Sequence, residues 1–139
     1  MELNQYLFFR DDCEEAMTLY VDTLGGEIVH VMRNGDAPSE EERMPGGDNL
    51  VMNMVAKVAG RLVMASDNSP DMYQTPQGFR LQIEVDSDAE FDRVYAALAK
   101  DARAHDMPAG ETFWAVKFAM FTDRFGTPWM LNYTGDKMG

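Results

Sequence analysis

Cysteine, histidine and positive charge are scarce in this chain, and each scarcity removes a class of function. The single cysteine, Cys13, leaves no internal disulfide, so a reducing cytoplasm is the expected location. The two histidines, His30 and His105, share no ligand spacing and read as surface or packing residues. Twelve Lys and Arg stand against 24 Asp and Glu, a net charge of −12. Nucleic-acid affinity rests on Lys and Arg neutralising phosphates, so no nucleic-acid partner is expected. Anionic membrane surfaces are disfavoured for the same reason, and the acidity reads as solubility. No apolar run approaches the ~20 residues that span a bilayer, and the first residues lack the basic start of a signal peptide. No glycine-rich phosphate loop follows a strand, and no Ser-His-Asp set can be assembled.

What is present is enough apolar sequence, 45%, for one domain over residues 1–139 with a core that needs no staples. Residues 3–9 read as a strand, broken by Arg10-Asp11-Asp12. Asp11 or Asp12, with Glu14 or Glu15, can form a capping box for the helix that follows. Cys13, Ala16, Met17, Tyr20 and Leu24 lie at helical spacing on its buried face, and Gly25-Gly26 stops it. Cys13 sits in the first helical turn among Asp11, Asp12, Glu14 and Glu15, which oppose a thiolate, so it reads as packing rather than as a nucleophile. Residues 27–33 form a second strand. Residues 34–49, acidic and interrupted by Pro38 and Pro45, form a loop that reads as a solvated insertion or a lid. Residues 50–58 and 61–65 make a hairpin around Ala59-Gly60.

After a break at 66–77 the pattern repeats. Residues 79–85 alternate strictly, with Leu81, Ile83 and Val85 on one face and Arg80, Gln82 and Glu84 on the other. Ser87 and Glu90 form a capping box, and Phe91, Val94, Tyr95 and Leu98 give the buried stripe. Residues 102–109 read as a weak strand and turn. Residues 114–122 and 127–133 form a hairpin closed by Asp123-Arg124-Phe125-Gly126, where Gly126 supplies a positive φ. Strand, helix and three strands are thus written twice, at an offset of roughly 75 residues, in modules of about 1–66 and 78–139. Each helix can cover one face of its sheet, and a polar uncovered face suits a cleft rather than a core.

Several stretches give the chain a family likeness: Tyr6-Leu7-Phe8-Phe9 with Cys13-Glu14-Glu15-Ala16 and Tyr20, Leu24-Gly25-Gly26, and Met64-Ala65-Ser66-Asp67. More specific are Glu111-Thr112-Phe113-Trp114, and Thr122-Asp123-Arg124-Phe125-Gly126 with Trp129-Met130. Nearly end to end, the chain resembles the vicinal oxygen chelate superfamily, the glyoxalase/bleomycin-resistance fold, and within it the PhnB-like branch. The resemblance implies an α+β fold of paired βαβββ modules, U-shaped mixed sheets around a cleft, and a homodimer.

Enzymes of that superfamily hold a divalent metal through His, Glu or Gln on the first, third or fourth, fifth and eighth strands. The matching positions here are Asn4 (or Gln5), Asn53, Arg80 and Met130. None is a carboxylate or imidazole, and Arg80 opposes a dication. The expectation is therefore no metal and no cofactor. The methyltransferase label sometimes given to the branch finds no cofactor-binding glycine motif.

The residues expected at the cleft are Asn4, Tyr6, Asn53, Arg80, Gln82 and Glu84, with Trp114, Phe118 and Trp129 as apolar walls or as core. The methionines, twelve in all, suit either adaptable core filling or a soft pocket wall. The favoured reading is a metal-free protein that binds a small organic molecule, with Arg80 anchoring an anionic group or pairing with Glu84. The alternative is a lyase-, isomerase- or dioxygenase-type enzyme using a displaced metal, or Glu84 as an acid–base group. Catalytic residues are unassigned.

Overall fold

A computed structural model describes residues 1–137 and contains two compact units, one from Met1 to Gln74 and one from Thr75 onward. The first runs β1 (Gln5–Phe9), α1 (Cys13–Leu24), β2 (Gly26–Arg33), β3 (Val51–Val58) and β4 (Arg61–Asp67). Its sheet has the order β1-β4-β3-β2, with β1 and β4 parallel and the other neighbours antiparallel. The second runs β5 (Leu81–Glu84), α2 (Asp88–Leu98), β6 (Ala104–Gly110), β7 (Lys117–Thr122) and β8 (Pro128–Tyr133), in the order β5-β8-β7-β6. Again the first and last strands are parallel and the rest antiparallel. The two units share one topology, as the repeated pattern predicts.

Helix α1 buries Cys13, Ala16, Met17, Tyr20 and Thr23, the expected stripe except that Thr23 takes the place of Leu24. Leu7, Ala65 and Met54 form a buried row of paired strand residues, and the Phe9 and Tyr20 rings lie 6.4 Å apart. The expected capping box is not what holds the helix start. Asp12 makes no side-chain cap bond. The Cys13 amide donates instead to Asp67 Oδ1 (3.0 Å), and the Val51 amide donates to Asp67 Oδ2 (2.9 Å). A carboxylate at the end of β4 therefore ties together the starts of α1 and β3. In α2 the Ser87 part of the expected box is present, with the Glu90 amide donating to Ser87 Oγ at 3.0 Å. Phe91, Val94 and Leu98 are buried beneath it.

Several boundaries move. The first strand begins at Gln5, which leaves Leu3 and Asn4 outside it and exposed. The fifth strand shrinks to Leu81–Glu84, so Arg80 precedes it. Trp114 lies in a bend rather than a strand. Thr112 Oγ1 accepts from the amides of Trp114 (3.3 Å) and Ala115 (3.0 Å), which folds the backbone locally and delays β7 to Lys117. Residues 104–110, expected as a weak piece, form a full edge strand. Its register slips between His105 and Met107 and again between Met107 and Gly110. Pro108, which has no N–H to give a ladder, accounts for the second slip. The 34–49 loop is tied from inside: buried Asn34 donates from Nδ2 to the Met44 and Gly47 carbonyls and accepts the Met44 amide.

Paired strand residues share a face, so the register sorts the second sheet into two. Leu81, Trp129 and Phe121 form one row on the α2 side, where Tyr95 meets Phe121 edge-on at 5.6 Å. Gln82, Met130, Met120 and Met107 cross the opposite face, with Glu84, Asn132 and Phe118 in the next row.

Candidate functional site

Arg80 enters β5 with its guanidinium turned along the sheet end. Nη1 donates to the carbonyls of Phe121 and Trp129, each at 3.3 Å, and Nη2 donates to Asp106 Oδ2 at 2.8 Å. The backbone irregularity between His105 and Met107 is where Asp106 meets it. A guanidinium carries five N–H donors. Three are engaged here, which leaves Nε–H and one Nη2 hydrogen. The expected partner, Glu84, does not take part. Its carboxylate accepts from Asn132 Nδ2 (2.8 Å) and from the Thr134 amide and hydroxyl (3.1 Å each).

Arg80 and Asp106 line a hollow of about 430 Å³ in the second unit, together with Pro76, Phe79, Pro128 and Met130. Among the described residues they are the only charged ones that line it, and their charges are opposite. The volume lies within the usual span of small-molecule sites, and the mix of apolar wall and a few polar groups is theirs too.

In the first unit, Asn53 Nδ2 donates to the Tyr6 hydroxyl at 3.3 Å, and the Tyr6 and Phe8 rings lie 5.0 Å apart on the face away from α1. Asn4 is exposed ahead of β1. In the second unit, Gln82 lies exposed beside Met130 on the uncovered face. Trp114 and Phe118 meet edge-on at 5.2 Å. Trp129 lies on the α2 side at 3% exposure, and its indole N–H ends on Asp123 Oδ2 at 2.8 Å. Asp123 also accepts the Phe125 and Thr127 amides, so Trp129 is part of the turn's framework. Asp106 and Phe79 escape sequence reasoning. Asp106 lies in an unpatterned segment, and nothing in the sequence pairs it with a residue 26 positions away.

The positions that the resemblance matches to metal ligands, Asn4 or Gln5, Asn53, Arg80 and Met130, offer no carboxylate or imidazole. Arg80 places a guanidinium bound to its own carbonyls where a ligand would stand, Met130 brings a thioether, and Asn53 brings an amide already bonded to Tyr6. These residues do not fit a hard dication. Among the described residues, no three His, Cys, Asp or Glu side chains group as a metal site. Burial, and then the carboxylates of Asp67, Asp12 and Glu14, push the Cys13 thiol far above its ordinary value, so it is held as a thiol. His105 Nδ1 lies 3.4 Å from the Tyr95 hydroxyl, a contact with the helix.

Paired βαβββ units of this kind define the glyoxalase/bleomycin-resistance class. The chain matches the glyoxylase/bleomycin resistance protein/dioxygenase domain from Frankia sp. EAN1pec with a TM-score of 0.63, covering 96% of this chain and 97% of that one at 16% identity. Within that class the chain belongs to the 3-demethylubiquinone-9 3-methyltransferase family, the PhnB-like branch, whose model matches residues 1–132. It is 33% identical over 140 residues to protein YjdN from Escherichia coli K12, spanning 95% of each chain. It is 38% identical to protein PA1353 from Pseudomonas aeruginosa, with a TM-score of 0.84, covering 98% of this chain and 99% of that one. Among the described residues no strand, glycine-rich turn and helix combine in the dinucleotide-binding manner. No described helix is long and apolar enough to cross a membrane.

Proposed function

We propose that this chain binds a small organic molecule in the hollow beside Arg80 and holds it without a resident metal. One observation carries the reading: Arg80, with two N–H donors that no described residue takes up, lines a hollow of about 430 Å³ together with Asp106, Phe79, Pro128 and Met130. Its other three bonds fix the guanidinium, so little ordering entropy opposes binding. A thermal-shift screen of organic molecules would identify a binder. Arg80→Ala should then weaken that binder tenfold or more, since hydrogen bonds to a charged group contribute about 1.5–3 kcal/mol. An unchanged Kd would remove Arg80 from the site.

The metal-dependent lyase, isomerase or dioxygenase reading is met by elemental analysis of untagged protein and melts with divalent ions. Stoichiometric metal, or a large stabilisation by one ion, would replace the binding reading with that one.

The proposal includes a single domain built of both units, acting in the cytoplasm as a homodimer. Sedimentation should give twice the 15.7 kDa chain mass, and calorimetry should give one transition. A monomer, or two separate transitions, would remove that part.

A further inference from the structure

Resting on the reading of the Arg80 hollow as a binding site, we infer that Asp106 determines its specificity. The Arg80–Asp106 pair selects ligands of no net charge that present an acceptor and a donor side by side, as a carboxamide does, and turns away simple anions.

The geometry supports this in three steps. First, Arg80 faces the hollow already paired: Nη2 to Asp106 Oδ2 is 2.8 Å, and the two side chains are 21% and 38% exposed. A ligand therefore meets a dipole with a donor end and an acceptor end, not a free cation. Second, the donors left on Arg80 are Nε–H and one hydrogen on Nη2, the nitrogen that also holds Asp106. An acceptor placed on them comes close to the Asp106 carboxylate. A carboxylate or phosphate there meets a like charge at close range, and the repulsion disfavours it. A carbonyl does not, and an amide N–H beside it can donate to Asp106. Third, among the described residues no other cation lines the hollow to offset an incoming anion, and the chain carries −12 overall. Phe79, Pro76 and Met130 supply apolar surface for the rest of the molecule.

Benzamide and benzoate isolate the effect, because they share a ring and differ in the group that would meet the pair. Their affinities can be read by NMR shift titration of the full-length protein, its Asp106→Asn variant and its Arg80→Ala variant. Asp106 is a partly exposed residue of an edge strand, and asparagine keeps its shape. The wild type should bind benzamide at least tenfold tighter than benzoate. Asp106→Asn should shrink that ratio at least tenfold, mainly by gaining benzoate affinity, and Arg80→Ala should lose both ligands. An equal ratio in wild type and Asp106→Asn, with both ligands lost in Arg80→Ala, overturns the selector while leaving the hollow as the site. Absence of binding by either probe to wild type and Asp106→Asn overturns the hollow and the selector together.

Discussion

Asp67 and Asp123 are the two buried acids among the described residues, and each is tolerated because it gathers donors. Asp123 is fully buried and accepts two amides and an indole N–H; an unmet buried donor costs about 1–3 kcal/mol, so three of them offset much of its desolvation. Asp67 accepts only two amides, from Cys13 and Val51. Burial pushes its carboxyl above the ordinary value of 3.8, and those two amides reduce the shift without cancelling it. The sign follows from linkage. A carboxyl whose folded pKa is raised binds its proton more tightly in the folded state. Its contribution is thus complete below 3.8 and is lost as pH rises through the folded value. Melting wild type and Asp67→Asn between pH 4 and 7 should therefore show the wild-type Tm falling relative to the variant as pH rises. A difference that grows with pH would mean that the two amide bonds outweigh burial. The helix cap made by Asp67 was not legible in advance, because Asp12 is the local candidate and the true partner lies 54 residues away.

At the scale of elements, the turn between β3 and β4 is the plainest conflict between sequence and backbone. Ala59 has φ 49° and Gly60 φ 79°, so both central residues are left-handed. That conformation suits glycine and asparagine, and an alanine there costs about 1–2 kcal/mol. Ala59→Asn should recover about 1 kcal/mol and raise Tm by about 3 °C; a lower Tm would show that the alanine methyl makes a contact worth more than the strain. The hairpin itself was legible because Ala59-Gly60 separates two apolar runs. So were α1 and α2, whose buried residues recur at helical spacing. The edge strand β6 was legible only as a weak strand and turn over 102–109, because His105, Asp106 and Pro108 give it no period-2 pattern and its pairing is supplied by β7. The early start assigned to β7 failed for a local reason, the Thr112 hydroxyl bonding the amides of Trp114 and Ala115. Of the candidate site, Arg80 was legible as a lone cation on a polar strand face. Its partner and its hollow depend on β6 and on the loop before β5, where the sequence has no period to read.

Across the whole molecule the governing quantity is charge. A net −12 destabilises any compact state through self-repulsion. Set against it are ion pairs such as Arg33–Glu14, Lys117–Asp88 and Lys117–Asp92, all at 2.8 Å and partly exposed. Both effects are screened by salt, so their balance sets the sign of the response. Exposed pairs contribute about 0–1 kcal/mol each. The repulsion, by contrast, is summed over an excess of twelve negative charges and reaches beyond contact distance. The Debye length is about 10 Å at 0.1 M and about 3 Å at 1 M, so added salt removes the long-range repulsion while contact pairs keep part of their attraction. Raising NaCl from 0.05 to 0.5 M should therefore raise Tm, and chloride and sulfate at matched ionic strength should agree in direction. A Tm that falls in NaCl would mean that the paired charges, and Arg33 with its two-bonded Glu14 above all, outweigh the repulsion among the rest.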